Sequence, residues 1–259
     1  MNSGVKPINQ LTFEHLGVEI YATRKEMGVA AGKMVAARLK DLLQKQQHVT
    51  IIFAAAPSQN EFLETLAGEP GIDWQRVIAL HMDEYVGLAA DSPQLFRKYL
   101  EDHIINLVHP GEAYFLDGNV ESLEEECARY ARLLVEHPVD IVCCGIGENG
   151  HLAFNDPPVA DFLDPKLVKI VELDEKCRQQ QVNDGCFSSL SQVPTQALTL
   201  TIPALLSGRY LYCIVPGSTK AAAVRDSVKG PVSTSCPASV LRRHPRTVLY
   251  LDGDAAALL

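Results

Sequence analysis

Residues 139–157, Val-Asp-Ile-Val-Cys-Cys-Gly-Ile-Gly-Glu-Asn-Gly-His-Leu-Ala-Phe-Asn-Asp-Pro, join an apolar run to a glycine-rich loop with one histidine. The apolar run over 139–144 predicts a buried strand, because strands covered on both faces read as continuous hydrophobic stretches. Glycines permit tight backbone turns, so the loop would aim His151 away from the strand end. An imidazole in that place can both give and take a proton near neutral pH.

The glycines of this loop also match the GxGxxG spacing of dinucleotide-binding proteins. That fingerprint requires a helix to open at the last glycine, so that a pyrophosphate sits on its N-terminus. Here Pro157 and Pro158 follow before any helix could complete two turns. We therefore interpret Gly145, Gly147 and Gly150 as residues that shape a tight loop.

Apolar runs and helical patterns alternate along the chain, which predicts an α/β fold with a mostly parallel, Rossmann-like sheet and helices on both faces. The predicted strands cover 17–22, 49–55, 76–81, 139–144, 168–172, 196–202, 210–215 and 247–251. The predicted helices cover 27–44, 58–66, 92–105, 120–136, a short segment after Pro203, and 218–229. Capping boxes at 23–26 and 58–61 would open the first two helices. We find no repeat or linker, so 1–259 read as a single domain, with 1–15 as an irregular N-terminal extension.

Composition is that of a soluble enzyme, with 259 residues, 47% hydrophobic residues and a net charge of -9. The acidic balance argues against a nucleic-acid partner. We find no signal peptide and no apolar run of the roughly 18 residues that span a membrane, so we expect a cytoplasmic protein. Seven cysteines without metal-ligand spacing indicate reduced thiols and no structural zinc. Two of them, Cys143 and Cys144, should point to opposite faces of one strand.

Four marked segments follow predicted strands, at the sheet edge where open α/β sheets bind ligands: 54–58, 83–87, 145–156 and 216–220. Taken singly, the acidic pair Asp83-Glu84 could simply cap a helix or face solvent, and His151 could be structural. The segment ending at Lys220 could hold an anion by backbone N–H groups, hydroxyls and an ammonium, or be an ordinary helix cap. Their agreement favours a shared site.

Together the segments resemble the glucosamine-6-phosphate deaminase/isomerase family, and the likeness runs from about Val49 to Leu251. The matching motifs are Met82-Asp-Glu-Tyr-Val-Gly-Leu88, Gly145 to Pro157, Val193-Pro-Thr-Gln-Ala-Leu-Thr199 and Pro216-Gly-Ser-Thr-Lys-Ala221. The family reaction converts an amino-sugar 6-phosphate and water to fructose 6-phosphate and ammonia. The resemblance implies no cofactor and no metal, and a place in amino-sugar metabolism, including N-acetylglucosamine catabolism.

The resemblance also implies a role for each site residue. Asp83 would move a proton between C2 and C1 of the opened sugar, and His151 would open the ring, tuned by Asp156 and Glu148. Substrate and phosphate contacts would come from Ala55, Ala56, Ser58, Glu84, Tyr85, Gly147, Lys169, Arg178 and Lys220. The residue chemistry agrees, because proton transfer next to a carbonyl needs a carboxylate base and ring opening needs a group like imidazole.

The chain departs from the family in its phosphate contacts. Where the family has a Thr/Ser-Gly-Gly-Thr-Pro type loop, residues 53–59 read Phe-Ala-Ala-Ala-Pro-Ser-Gln, with added bulk and one fewer N–H donor. Asp156 stands where a glutamate is common, and Asn149 where some members have an acid. The run after Arg178 lacks an arginine expected to hold phosphate. The general chemistry is therefore firmer than the identity of the substrate.

Two other functions remain open at this point. A 6-phosphogluconolactonase would share the fold, although such enzymes tend to carry Asp-Glu-Arg in place of Asp-Glu-Tyr85. A non-catalytic sugar-phosphate-binding protein would need neither Asp83 nor His151. The sequence does not separate a glucosamine from a galactosamine substrate, nor does it settle homo-oligomer formation or allosteric control. Residues 162–187 are polar and irregular, which suggests a lid over the site.

Overall fold

The central strands form because their side chains are apolar on both faces. In the computed structural model, which describes residues 4–259, β3, β4 and β7 are buried at every position. The strands are β1 Asn9–Phe13, β2 Leu16–Tyr21, β3 Val49–Phe53, β4 Val77–His81, β5 Asp83–Tyr85, β6 Glu112–Tyr114, β7 Ile141–Cys144, β8 Val168–Glu172, β9 Gln196–Leu200, β10 Tyr210–Val215 and β11 Thr247–Asp252.

The helices lie between these strands, as the alternating pattern predicts. They are α1 Arg24–Leu43, α2 Asn60–Gly68, α3 Phe96–Leu100, α4 Asn106–Val108, α5 Leu123–Glu136, α6 Glu175–Asn183, α7 Ile202–Leu206 and α8 Ala221–Lys229. A π-helical turn, Glu101–Ile105, joins α3 to α4, and 3₁₀ turns precede α2 and α8.

The main sheet has the strand order β1-β2-β11-β10-β7-β3-β4-β6, and its pairs are parallel except β1 with β2. Adjacent residues of one strand face opposite layers. Ile51 packs with the core that contains α1 and α2, whereas Ile52 packs with the core that contains α5 and α8. The predicted fold class is thus confirmed, and Cys143 and Cys144 do face opposite sides of β7.

A smaller antiparallel sheet, β5-β9-β8, lies beside the carboxyl ends of the main strands. Its strand β5 starts at Asp83, directly after β4. The first three residues of the acidic segment 83–87 therefore form a strand, in which Asp83 pairs with Thr199 of β9. This pairing fixes the backbone on which the proposed base is carried.

Helices α1 and α2 touch at glycines. A Cβ added at Gly28 would lie 2.4 Å from the Cβ of Glu61, and one added at Gly32 would lie 2.7 Å from that of Thr65. Their absence allows the two helix axes to approach closely. The start of α1 is consequently held against the segment that leads into α2.

Several local expectations need correction. Residues 9–13, placed by the sequence in an irregular extension, form β1, and residues 175–183, in a segment expected to be irregular, form α6.

The capping box at 23–26 is present in part, since the Thr23 hydroxyl accepts from the N–H of Glu26 at 3.1 Å. The box at 58–61 is wrong: a 3₁₀ turn precedes α2, and no side chain caps either element. Residues 1–3 of the expected extension lie outside the described residues.

The seven cysteines all lie in the described part of the chain and form no disulfide. Among the helices of residues 4–259, none has both the length and the apolar character needed to cross a lipid bilayer.

Candidate active site

One cavity of about 200 Å³ opens where the carboxyl ends of the central strands meet. All four segments that the sequence marks contribute to its lining. Asp83 comes from β5, His151 from the loop after β7, Ser58 from the turn after β3, and Lys220 from the turn after β10. Of the residues predicted to bind substrate, Ala55, Ala56 and Gly147 also line it.

A tight loop presents His151 to this cavity. The N–H of Gly147 donates to the carbonyl of His151 at 3.0 Å, and Gly150 has a positive φ of 83°. A Cβ added at Gly147 would lie 2.1 Å from the imidazole, so this glycine makes room for the ring. No helix follows Gly150, which agrees with our rejection of a dinucleotide site.

The imidazole is oriented by two oxygen atoms on one side. Its Nδ1 lies 2.8 Å from Oδ1 of Asn149 and 2.9 Å from Oδ1 of Asp156. With two acceptors against Nδ1, the hydrogen-bond network assigns the proton of a neutral ring to Nδ1 and leaves Nε2 for a ligand. The amide of Asn149 also donates to Asp156 at 2.8 Å, which holds the carboxylate in place.

Asp156 is buried, with 1% of its surface exposed, and does not itself line the cavity. Burial would raise the pKa of its carboxyl, but the hydrogen bond and charge of His151, with bonds from Asn149 and Cys177, outweigh burial and lower that pKa. Asp156 is therefore ionised at neutral pH. It can stabilise a positive charge that forms on the imidazole during proton transfer.

Asp83 is the carboxylate that faces the cavity. Burial, and then the adjacent carboxylate of Glu84, raise its pKa well above the ordinary value for aspartate. A carboxylate with a raised pKa is a stronger base, and proton transfer is most efficient when the pKa of the base approaches the working pH. The environment of Asp83 thus suits abstraction of a proton from carbon.

Glu84 and Tyr85, predicted to contact substrate, lie outside the cavity. Glu84 accepts the N–H groups of Tyr85, Phe96 and Arg97 at 2.9–3.1 Å, and thus caps the start of α3. Burial raises its pKa to about 7, although these three bonds oppose the rise. Tyr85 is fully buried among the rings of Phe96, Phe154 and Phe187. We therefore remove both from the substrate site.

Two cationic residues that were predicted to contact the substrate or its phosphate bind other groups of the protein. The ammonium of Lys169 donates to the carbonyl of Val159 at 2.7 Å and pairs with Asp164 at 2.9 Å. The guanidinium of Arg178 donates to the carbonyls of Leu190 and Val193. Their side chains stabilise the protein backbone, and neither lines the cavity.

Glu148 stands next to the cavity rather than in its lining. Its N–H donates to Oε1 of Gln180 at 2.8 Å, and its carboxylate lies 3.4 Å from the amide of Asn183. Its negative charge is one of the influences that oppose the lowering of the pKa of Lys220 by burial. The expectation that Glu148 tunes the imidazole therefore finds no supporting contact in the described residues.

Lys220 brings a cation to the cavity wall. It is 5% exposed, and its Nζ has no hydrogen-bond partner among the described residues. Burial lowers the pKa of this ammonium, while Asp184, Glu148 and Cys177 act in the opposite direction. The preceding turn is anchored because both carboxylate oxygens of Asp252 accept from the N–H of Gly217.

The cavity also contains residues that the sequence reasoning missed. Arg24 comes from the start of α1, and Gln180, Gln181 and Asp184 come from α6 and its end. No local signal marks them, because only the packing of α1 on α2 and of α6 over the site brings them close. The predicted lid region does reach the site, although as a helix.

One group of potential metal ligands lies beside the site: donor atoms of His151, Asp156 and Cys177 all fall within 4.8 Å of one another. A metal would need a thiolate, but burial and the neighbouring Asp156 raise the pKa of the Cys177 thiol well above its usual value. The Nδ1 atom of the ring is already used by two oxygens. The donor set thus fits a hydrogen-bond network better than a metal centre.

A larger cavity, of about 800 Å³, opens at the amino ends of the strands and is lined by His48, His137, Asp140 and Arg209, among others. It contains none of the four marked segments. Carboxyl-end placement and convergent polar groups favour the smaller cavity as the active site.

Comparison with known proteins gives a consistent result. The family described as "Glucosamine-6-phosphate isomerases/6-phosphogluconolactonase" matches residues 22–249. A glucosamine-6-phosphate deaminase of Listeria innocua is 37% identical over 199 residues, which cover 76% of this chain and 83% of that protein. One from Lactobacillus delbrueckii subsp. bulgaricus is 34% identical over 188 residues, covering 73% and 78%.

Solved structures agree with the fold. A monomeric glucosamine-6-phosphate deaminase superposes with a TM-score of 0.84 at 29% identity, over 93% of this chain and 99% of that one. A 6-phosphogluconolactonase from Thermotoga maritima superposes with a TM-score of 0.74 at 19% identity, over 91% and 99%.

Proposed function

The chain belongs to the glucosamine-6-phosphate isomerase/6-phosphogluconolactonase family, and from this premise we propose that it deaminates and isomerises an amino-sugar 6-phosphate. In the proposed reaction, glucosamine 6-phosphate and water give fructose 6-phosphate and ammonia. The observation that supports this proposal is that Asp83, His151 and Lys220 line one cavity, although they come from separate segments of the chain.

His151 performs the first proposed step, opening of the pyranose ring. Its Nε2 takes the proton of the hydroxyl on C1 and gives a proton to the ring oxygen, so that the C1–ring oxygen bond breaks and an aldehyde forms. Asp156 and Asn149 hold Nδ1, and the carboxylate balances the positive charge on the imidazolium between the two transfers. After the second transfer, Nε2 of His151 is again unprotonated and ready for the next turnover.

Asp83 performs the second proposed step. Its carboxylate removes the proton from C2 of the open sugar and returns it to C1, while the C1 oxygen gains a proton and the amine nitrogen loses one, so that the amino aldehyde becomes the isomeric ketose imine. Water then adds to C2, and the C2–nitrogen bond breaks to release ammonia. Burial of Asp83 strengthens the base in the first half of this transfer.

The assay is release of ammonia and fructose 6-phosphate from glucosamine 6-phosphate, with galactosamine 6-phosphate as a parallel substrate. We expect activity on the glucosamine compound. Hydrolysis of 6-phosphogluconolactone without ammonia release would contradict the proposal and assign the lactonase reaction. Binding of sugar phosphates, seen as thermal stabilisation, without any turnover would contradict it in favour of a sensor.

Substitution His151→Gln tests the ring-opening role. If the variant can use only sugar that has opened spontaneously, the rate of ammonia release should level off at the spontaneous opening rate as enzyme concentration rises. Loss of a general acid or base also costs about 10²–10⁴-fold in turnover. The exposed His15→Gln is the matched control and should behave like the parent. A rate for His151→Gln that stays proportional to enzyme concentration would contradict the role.

A further inference from the structure

Arg24 lines the cavity although nothing in the local sequence marks it as a site residue. We propose that Arg24 binds the 6-phosphate of the substrate together with Lys220, and so compensates for the glycine loop, and for the arginine expected in the run after Arg178, that this chain lacks. This inference rests on the proposed function, because it specifies how that substrate is held. It gives the chain a phosphate contact from the start of α1.

The need for an anion at this place follows from Lys220. The residue is only 5% exposed, and its buried Nζ has no hydrogen-bond partner among residues 4–259. A buried charge without a partner is costly, and the cost is removed when a charged ligand binds beside it. The cavity that Lys220 lines is thus prepared for an anionic group.

Arg24 is the other long cationic side chain in the cavity lining of the described chain. Its Nε donates to Oε1 of Glu61 at 2.7 Å, and its Nη2 donates to the carbonyl of Pro57. Two of five N–H groups are used in this way, so three remain in a fork of fixed geometry. The side chain is 40% exposed, so a ligand can reach it.

The turn between β3 and α2 completes the anion site. The amide of Gln59, 1% exposed, donates to Oγ of Ser58 at 3.0 Å and to the carbonyl of Ile214 at 3.1 Å. Because Ser58 already accepts a bond, its own hydroxyl hydrogen is free to donate to a phosphate oxygen. Ala56 has an extended φ of -161°, so this turn does not need the glycine conformations of the family loop.

The rest of the cavity lining also favours a second cation. Helix α6 and its end contribute Gln180, Gln181 and Asp184 to the cavity, which are two amides and an acid. Lys220 alone carries one positive charge, whereas a phosphate monoester carries about -1.5 to -2 at pH 7. Arg24, although paired with Glu61, adds N–H donors on the β3–α2 side, and guanidinium matches phosphate geometry with two parallel bonds.

The test uses purified full-length protein and the variant Arg24→Gln. Its matched control is Lys25→Gln, which removes the same charge from the same helical turn but at an exposed position outside the cavity. Binding of fructose 6-phosphate and of inorganic phosphate is measured by calorimetry. Thermal unfolding without ligand checks that both variants remain folded.

We expect Arg24→Gln to raise the dissociation constant of both ligands about tenfold. This factor corresponds to the lower end of the free energy that a hydrogen bond to a charged group contributes. Lys25→Gln should match the parent, and Arg24→Lys should recover part of the affinity. The parent should bind fructose 6-phosphate more tightly than inorganic phosphate. Equal affinities for Arg24→Gln and Lys25→Gln, or equal affinity of the parent for the two ligands, would overturn the inference.

Ammonia release separates this inference from the proposed function. If glucosamine 6-phosphate is turned over but Arg24→Gln leaves KM at the parental value, the phosphate contact is wrong and the function stands. If no substrate is turned over but Arg24→Gln weakens phosphate binding, the function is wrong and the anion site stands.

Discussion

At the scale of single residues, the His151 imidazole depends on neighbours that never reach the cavity. Asn149 and Asp156 both contact Nδ1, and Asn149 also donates to Asp156. This closed set of hydrogen bonds fixes the ring plane and the tautomer. The carboxylate of Asp156 alone therefore supplies the negative charge of the His151–Asp156 dyad. Asn149 has an amide at the position where some family members would have a second acid.

Substitution Asp156→Asn tests this arrangement through activity. The amide removes the negative charge that stabilises the imidazolium, while the volume of the side chain is kept. We expect turnover to fall at least about tenfold, as for other residues that orient a site group. Asp91→Asn, which makes the same chemical change at an exposed position outside the cavity, is the control. Parental turnover in Asp156→Asn would contradict the dyad.

The Asp156→Asn variant also tests how the stability of the folded protein depends on pH. The pKa of Asp156 is lower in the folded protein than in the unfolded chain, so the unfolded state binds more protons in acid. The stabilisation is present above the unfolded pKa of about 3.9 and is lost as pH falls through the folded value. Urea unfolding should show the parent more stable than Asp156→Asn at pH 7, with the difference shrinking below about pH 4.

At the scale of elements, β9 joins the two halves of the site. Its backbone pairs with β5, which carries Asp83, and its Thr199 hydroxyl accepts from the N–H of Phe154 at 3.1 Å. The amide of Asn155 donates to the carbonyl of Leu200 at 2.8 Å. Strand β9 thus contacts both the strand of the base and the loop of the imidazole.

Substitution Thr199→Val tests β9 as the connection. The change keeps the shape of the side chain but leaves the buried N–H of Phe154 without its acceptor, which costs about 1–3 kcal/mol of unfolding free energy. We expect a lower urea midpoint and reduced turnover. Thr50→Val, at a buried threonine near the amino end of β3, is the control for stability and should leave turnover at the parental level. Equal turnover in the two variants would contradict this role of β9.

Sequence patterns predict the central elements well because these signals are local. Strand β10 and the end of α5 fall where the apolar periodicity places them. The small strands β5 and β6 lack such a signal, since each has three residues and forms only by pairing with a distant strand. Helix α6 is similarly hidden, because its composition is almost entirely polar.

At the scale of the whole molecule, the site forms because parallel strands release their loops at one edge of the sheet. This rule predicts from the sequence that Asp83, His151, Ser58 and Lys220 share a cavity, and the structure brings them together. It does not predict Arg24, whose position depends on glycine contacts between α1 and α2. Nor does it predict that Arg178 faces the protein backbone, because side-chain direction depends on tertiary packing.

Exchange of hydrogen at C1 of fructose 6-phosphate in heavy water that contains an ammonium salt, so that the ketose imine can form, most directly tests the claim that Asp83 moves a proton on a sugar held in this cavity. We predict that the parent incorporates deuterium at C1, as followed by proton magnetic resonance. Asp83→Asn should still bind fructose 6-phosphate but exchange about 10²–10⁴-fold more slowly. Exchange by Asp83→Asn at the parental rate would contradict the account.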